Sequence, residues 1–116
     1  MMFSDFSGYQ VFIKPGRTDM RKAIVSLNEI IAYEMKLDIY SKSLFLFCSK
    51  NRKTIKIVYW DKNGFCMWQK KMEKEKFIWP KVKSEINKLS IEQLQWLLSG
   101  LDYTSGHKEL KLSQIE

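Results

Sequence analysis

The segment from Leu44 to Lys71 constrains the fold of this chain more than any other. Two runs rich in apolar, β-branched and aromatic residues, Ser43–Cys48 and Thr54–Trp60, precede the sequence Asp-Lys-Asn-Gly at positions 61–64. Asp favours the first position of a tight turn, and Gly accepts a positive φ. Phe65–Lys71 then has the composition of a partner strand. The segment therefore predicts an antiparallel three-stranded meander.

An amphipathic helix is predicted before the meander. Met20, Ile24, Leu27, Ile31 and Met35 recur at steps of three or four residues and form one apolar stripe over about four turns. The side-chain oxygen of Thr18 or Asp19 can cap such a helix. The stripe has to pack against another element, and the predicted sheet is the obvious one.

A short second helix is predicted near the C-terminus. Ser90 and Gln93 fit a capping box, and Gly100 is suited to the position after a helix end. The apolar face of this helix would consist of Ile91, Leu94, Leu97 and Leu98.

Further short strands are expected at Gly8–Lys14, at Phe77–Trp79 before Pro80, and in part of Lys81–Leu89. The predicted fold class is α+β: an antiparallel β-meander of three to five strands, packed against one amphipathic helix, with a short C-terminal helix. We expect a single domain over residues 1–116, with an ordered core at about 8–103 and a flexible tail at 104–116.

The charge balance indicates an anionic partner. The 116 residues include 20 Lys and Arg against 13 Asp and Glu, which gives a net charge of +7. A cationic surface attracts nucleic acid, and counterion release strengthens that attraction. An acidic membrane surface or an acidic protein is the alternative that composition leaves open.

Cationic side chains cluster before the first helix, between the first two meander strands and at the end of the third. Arg21 and Lys22 fall in the predicted first helical turn, where cations oppose the macrodipole unless a phosphate binds there. The alternative is that the side chains of Arg21 and Lys22 are solvated or paired with carboxylates. The predicted nucleic-acid-binding residues are Arg17, Arg21, Lys22, Lys50, Arg52, Lys53, Lys56, Trp68, Lys70 and Lys71.

Aromatic residues alternate with these cations on the meander. If the turn is a three-residue loop with a Gly bulge, Val58 pairs with Trp68 and Lys56 pairs with Lys70. Trp60, Trp68 and both lysines would then share one face. Such a face either stacks nucleic-acid bases or is buried as core or protein interface.

Nothing in the sequence indicates catalysis, a cofactor or a bound metal. His107 is the only histidine, and the aspartates are scattered, so neither a Ser–His–Asp triad nor a two-metal site is indicated. Cys48 and Cys66 lack zinc-knuckle spacing and read as buried free thiols of a reducing cytoplasm. No targeting or membrane-spanning segment is visible, so we expect a cytoplasmic protein that is not an enzyme.

Four signatures in order resemble one protein family. They are Thr18–Lys22, Leu44–Cys48 continued by Ile55–Phe65, Glu73–Pro80, and Leu94–Asp102. The chain resembles the TnpB, or Orf2-like, accessory proteins of insertion sequence 66 elements over about residues 11–103. Glu75 departs from the pattern, since the third signature usually has Gly there. The matching positions kept as candidates beside the predicted cations are Asp19, Trp60, Asp61, Asn63 and Gly64.

The resemblance implies a role in transposition beside a separate DDE-type transposase. It assigns no catalytic residue and no cofactor. We therefore expect a protein that binds DNA without catalysis, with an adaptor that contacts only the transposase as the alternative. The sequence leaves the oligomeric state open.

Overall fold

A computed structural model describes residues 3–83 and 87–104. The strands are β1 (Gln10–Ile13), β2 (Ser43–Cys48), β3 (Thr54–Asp61), β4 (Gly64–Lys71) and β5 (Lys88–Leu89). They form one five-stranded sheet in the order β4-β3-β2-β1-β5. All neighbours are antiparallel except β1 and β2, which are parallel. The predicted α+β fold with its β2–β3–β4 meander is confirmed.

A short 3-10 helix, Phe3–Phe6, and two longer helices complete the described fold. Helix α1 (Ile24–Glu29) continues into a π-helical segment, Ile30–Glu34, and connects the parallel strands β1 and β2. Helix α2 (Ile91–Leu98) follows β5. The C-terminal tail predicted to be flexible begins at residue 104, and its residues 105–116 lie outside the described residues.

The sheet is covered on both faces. One face of β2 and β3 packs, through Phe45, Phe47 and Val58, with Leu27 of α1 and Ile31 of the π-helical segment. The other face packs with α2 and with the side chains of Phe77, Trp79 and Tyr103. Every residue of β2 is therefore buried, as expected for a central strand with apolar residues at both alternations.

Helix α1 begins later than predicted, so Thr18 and Asp19 do not cap it. Ala23 is the residue before the helix, and it forms no side-chain cap. The backbone before it is engaged elsewhere: the Thr18 N–H donates to Cys48 O at 2.8 Å, and Lys56 Nζ donates to the carbonyls of Met20 and Lys22. These long-range bonds tie residues 18–22 to β2 and β3, and the helix begins only after them.

The termini of α2 agree with the sequence prediction. The Ser90 side chain accepts from the Gln93 N–H, and the Gln93 side chain accepts from the Ser90 N–H, which completes the capping box. Gly100, at φ +79°, donates its N–H to Leu97 O, and Leu101 donates to Trp96 O. This pair of bonds is a Schellman motif, which requires the left-handed backbone that glycine adopts readily.

The predicted register of the β3–β4 hairpin is wrong by one residue. Asp61 pairs with Gly64, so the loop has two residues, and Lys62 rather than Gly64 adopts a positive φ of 52°. Two-residue loops with a positive φ match the twist of paired strands. Trp68 consequently lies opposite Ile57 and not opposite Val58. A one-residue shift exchanges the two faces of a strand.

The segment Phe77–Trp79 is not a strand, contrary to the prediction. It is held by single bonds to surrounding loops: the Phe77 N–H donates to Arg52 O at 2.7 Å, and the Trp79 indole N–H donates to the carbonyls of Lys14 and Gly16, both at 3.0 Å. Phe77 and Trp79 are buried. Their apolar character reflects burial against one face of the sheet, which does not require pairing within it.

Candidate nucleic-acid interface

Three cation-bearing segments meet at one end of the sheet, which we call the basic end: Arg17–Lys22, Ser49–Lys53 and Lys71–Lys76. The Thr18 N–H donates to Cys48 O, at the start of the second segment. Met72 donates to Lys53 O at 2.6 Å, which connects the second segment to the third. These bonds bring together cations that are distant in the sequence, and they leave the side chains of Arg17, Lys50, Arg52 and Lys71 exposed.

The loop between β2 and β3 is braced by its own side chains. Ser49 Oγ accepts from the N–H groups of Lys53 and Thr54 at 3.2 and 3.0 Å, and Asn51 Oδ1 also accepts from Lys53 N–H. Arg52 takes a left-handed φ of 60°. Because these bonds fix the backbone, the cationic side chains of Lys50 and Arg52 extend from a defined platform.

Asp19 and Arg21 form an exposed ion pair. Asp19 accepts from Arg21 Nε at 3.1 Å and from Nη2 at 2.7 Å, and also from the Arg21 backbone N–H. The side-chain hydrogen bond from Arg21 is the main reason that the pKa of Asp19 is well below its usual range. Arg21 and Lys22 precede α1 and are not in its first turn, so the predicted conflict with the helix dipole does not arise.

Two predicted phosphate contacts have their amines engaged within the protein. Lys56 is buried, and its Nζ donates to Met20 O at 2.6 Å and to Lys22 O at 3.0 Å. Lys70 Nζ donates to Leu98 O at 2.6 Å, in the last turn of α2. A cation there also interacts favourably with the negative end of the helix dipole. Both lysines stabilise the frame that carries the exposed cations.

The mixed aromatic and basic face predicted for the hairpin is not formed. Trp60 lies opposite Phe65, whereas Trp68 lies opposite Ile57 on the other face of the sheet. Trp68 is partly buried against the core that includes α2. The corrected register thus separates the two tryptophans and places Trp68 in packing contacts.

A group of aromatic rings marks the opposite end of the sheet, the hairpin end, which comprises Tyr40, Trp60, the turn Asp61–Gly64 and Phe65. The Trp60 ring centroid is 5.2 Å from that of Tyr40 and 4.9 Å from that of Phe65. Tyr40 is 59% exposed. Sequence reasoning missed Tyr40, because it lies in a loop and only the tertiary fold brings it to Trp60. Within the turn, the Asn63 N–H donates to Asp61 O.

The surface has two concave regions, of which one lies at the basic end. A groove of about 580 Å³ at the basic end is lined by Thr18, Asp19 and Met20 on one side and by Ser49, Lys50 and Asn51 on the other. A second cavity, of about 360 Å³, lies between β1 and the π-helical segment, with Phe12, Met35 and Leu37 among its lining residues. The first cavity contains predicted interface residues, and the second contains none of them.

The cysteines are free thiols. Cys48 is buried, and burial is the main reason that the pKa of its thiol is raised to about 12. Cys66 is only partly buried. Within residues 3–83 and 87–104, no group of three or more His, Cys, Asp or Glu side chains is placed to hold a metal ion. His107 lies outside that range.

Across the described part of the chain, none of the helices has both the length and the apolar character that crossing a membrane requires.

Comparison with known proteins gives a consistent result. The family model described as IS66 Orf2 like protein matches residues 9–108. Two curated proteins of Sinorhizobium fredii (strain NBRC 101917 / NGR234) are similar. The uncharacterized protein y4hO is 32% identical over 81% of this chain and 82% of its own length. The uncharacterized protein y4jC is 28% identical over 89% of this chain and 88% of its own. No solved structure matches the chain significantly.

Proposed function

Because the chain belongs to the family of IS66 Orf2-like proteins, we propose that it binds DNA without catalysis, beside the transposase of an insertion sequence. The family implies an accessory role in insertion-sequence transposition and is not known to be catalytic. We propose more specifically that the accessory protein contacts DNA through the basic end. This contact would take place in the bacterial cytoplasm.

One observation carries the DNA-binding proposal. Three segments that are separate in sequence place their exposed cations at the same end of the sheet, and backbone hydrogen bonds hold those segments together. Phosphate contacts from Lys and Arg position a protein on DNA without reading the sequence. We assign this role to Arg17, Lys50, Arg52 and Lys71, with half-buried Lys22 and Lys53 beside them. Arg21 belongs to the same surface when its pairing with Asp19 is shared with a phosphate.

Fluorescence anisotropy of the purified protein tests the proposal. The probes are a duplex with the element's terminal repeat and a scrambled duplex of equal length, each titrated at several salt concentrations. We expect binding to both, with log K falling by about 0.9 per log unit of salt for each phosphate contacted. A higher affinity for the terminal repeat would measure sequence reading. Failure to bind either duplex at low salt would refute DNA binding.

The hairpin end supports a second candidate function, an adaptor that contacts the transposase directly. Tyr40 and the neighbouring Met67 are 59% and 39% exposed, beside half-buried Trp60 and Phe65. Aromatic residues and Met are enriched at protein interfaces. Recovery of the transposase with the tagged protein after nuclease treatment supports this function. Loss of the transposase on nuclease treatment would show that DNA bridges the two proteins.

A further inference from the structure

The groove at the basic end has an unsatisfied polar group in its wall. Thr18 is only 6% exposed, and its hydroxyl has no hydrogen-bond partner among the described residues. A buried hydroxyl without a partner costs free energy, and native structures rarely retain one without a reason. Thr18 is fixed in this position by its N–H bond to Cys48 O. Thr18 lines the groove, and its hydroxyl oxygen is buried behind that wall with its hydrogen-bonding capacity unused.

A buried positive charge lies on the other side of the same segment. Lys56 is 7% exposed, and its Nζ donates to the carbonyl of Met20, a residue that lines the groove. No carboxylate in the described part of the chain forms a salt bridge with it. Carbonyl oxygens carry only partial negative charge, so the ammonium lacks a full counter-charge. Buried charges in proteins are normally paired or bound to an ion.

The acidic residue of the groove does not supply this counter-charge. Asp19 is held by Arg21 through two guanidinium nitrogens and the backbone N–H. Its negative charge is compensated within that pair, and its neighbour across the groove is the exposed cation Lys50. The groove thus combines an unused hydroxyl donor, one exposed ammonium and one buried ammonium behind its wall. This combination suits an anion with several oxygen acceptors.

We propose that the groove between Thr18–Met20 and Ser49–Asn51 binds one phosphate of the DNA backbone. The Lys50 ammonium contacts phosphate oxygens, the buried Thr18 hydroxyl donates to one of them once its side chain turns toward the groove, and Lys56 acts as a positioning residue that provides fixed positive charge. This inference rests on the proposed DNA-binding function, and it goes further by fixing where one phosphate sits. The other exposed cations of the basic end contact neighbouring phosphates around it.

The test combines two variants with two probes. Thr18→Val removes the hydroxyl at constant shape, and Lys50→Met removes the charge at similar length. Lys42→Met, an exposed lysine just before β2 at the hairpin end, is the matched control. Affinity for a duplex is measured by anisotropy at several salt concentrations. Inorganic phosphate is titrated separately into ¹⁵N-labelled wild-type protein, with the amide signals of residues 18 and 50 monitored.

We expect Thr18→Val and Lys50→Met each to lower duplex affinity roughly tenfold, since each loses a hydrogen bond to a charged group. Lys50→Met should also flatten the salt slope by about one unit. Thr18→Val should keep or raise the melting temperature, because it removes an unsatisfied buried hydroxyl. A purely structural role for Thr18 would leave DNA affinity unchanged. Lys42→Met should bind like the wild type.

The outcomes separate this inference from the proposed function. If the wild type binds the duplex and both variants bind equally well, the phosphate site is refuted while DNA binding stands. If the wild type fails to bind DNA but inorganic phosphate shifts the amides of residues 18 and 50, the groove is an anion site and the DNA-binding function is refuted. If neither probe binds, both proposals fail.

Discussion

The two ends of the sheet differ in chemistry although the same strands build them. The basic end carries exposed Lys50 and Arg52 on a loop whose backbone is braced by Ser49 and Asn51. The hairpin end carries the rings of Tyr40, Trp60 and Phe65, in edge-to-face contact through Trp60, beside charges of both signs. One end is suited to a polyanion and the other to a protein surface.

The family signatures are not confined to either end of the sheet. Part of the second signature, Trp60 through Gly64, lies at the hairpin end, whereas the first signature, Thr18–Lys22, lies at the basic end. The two-residue turn at the hairpin end explains the presence of Asp61 and Gly64, and the aromatic packing there explains the presence of Trp60. Arg21 and Lys22 of the basic end belong to the first signature, Lys50 and Arg52 lie between the two parts of the second, and only the fold makes these cations one surface.

The largest expected effect comes from neutralising the basic end. In Lys50→Ala/Arg52→Asn/Lys53→Ala, Asn is used at position 52 because it tolerates the left-handed backbone. We expect duplex affinity to fall roughly a hundredfold or more, and the salt slope to flatten by about two to three units. Anisotropy provides the measurement. The hairpin-end variant Lys42→Ala/Lys62→Asn is the control, and an equal loss there would abolish the distinction between the two ends.

Removing the buried amine tests what holds the basic end in place. Lys56→Met keeps the length of the side chain but leaves the carbonyls of Met20 and Lys22 without their donor. We expect a loss of about 2 kcal/mol in the free energy of unfolding, because hydrogen bonds to charged groups are strong and buried acceptors need partners. Urea unfolding measures it, with exposed Lys71→Met as control. Unchanged stability would show that the amine does not anchor this segment.

The glycine that follows α2 lies close to the Lys71–Lys76 segment of the basic end. Gly100 has φ +79°, and a Cβ there would approach Met72 Cε at 2.8 Å and Glu75 Oε2 at 3.1 Å. We expect Gly100→Ala to cost about 1–2 kcal/mol through backbone strain and displacement of the connector. Thermal unfolding checks this against Ser99→Ala, an exposed neighbour with negative φ. Equal stabilities of the two variants would contradict the Schellman geometry.

At the hairpin end, one substitution should stabilise the protein. Lys62 adopts φ 52°, a region that Gly occupies without steric cost. Lys62→Gly is expected to raise the free energy of unfolding by about 0.5–1 kcal/mol and to leave DNA affinity unchanged. Asn63→Gly, in the same turn but with negative φ, is the matched control and should not stabilise. A destabilised Lys62→Gly would indicate the three-residue loop instead.

The smallest effect concerns acid pH at the basic end. Bonding to Arg21 lowers the folded-state pKa of Asp19, so its contribution to stability is present above the ordinary Asp value of 3.8 and is lost as pH falls toward the folded value. Because the pair is exposed, the contribution is small. The stability of wild type and Asp19→Asn should therefore differ slightly at pH 7 and converge below pH 3.8 in urea unfolding. If the stability difference between the two proteins grew as the pH fell, the ionised Asp19 would not be the stabilising form.

Sequence alone determined those structural elements that depend on residues close together in the chain. The meander, the fully apolar β2 and the caps of α2 follow from composition, turn residues and side-chain-to-backbone bonds within a few positions of each other. The same local reasoning identified the cations, although it could not determine which of their amines remain free.

Only the tertiary structure decided the rest, because those choices depend on contacts between distant residues. The backbone that precedes α1 is bonded to Lys56 and Cys48, which local sequence did not indicate, and the helix begins after it. The hairpin register follows from a two-residue loop together with the burial of Trp68, and it moves the tryptophans to opposite faces. The hydroxyl of Thr18 becomes a candidate ligand for the same reason: the fold buries it beside Lys50, 32 positions along the chain, and provides no partner.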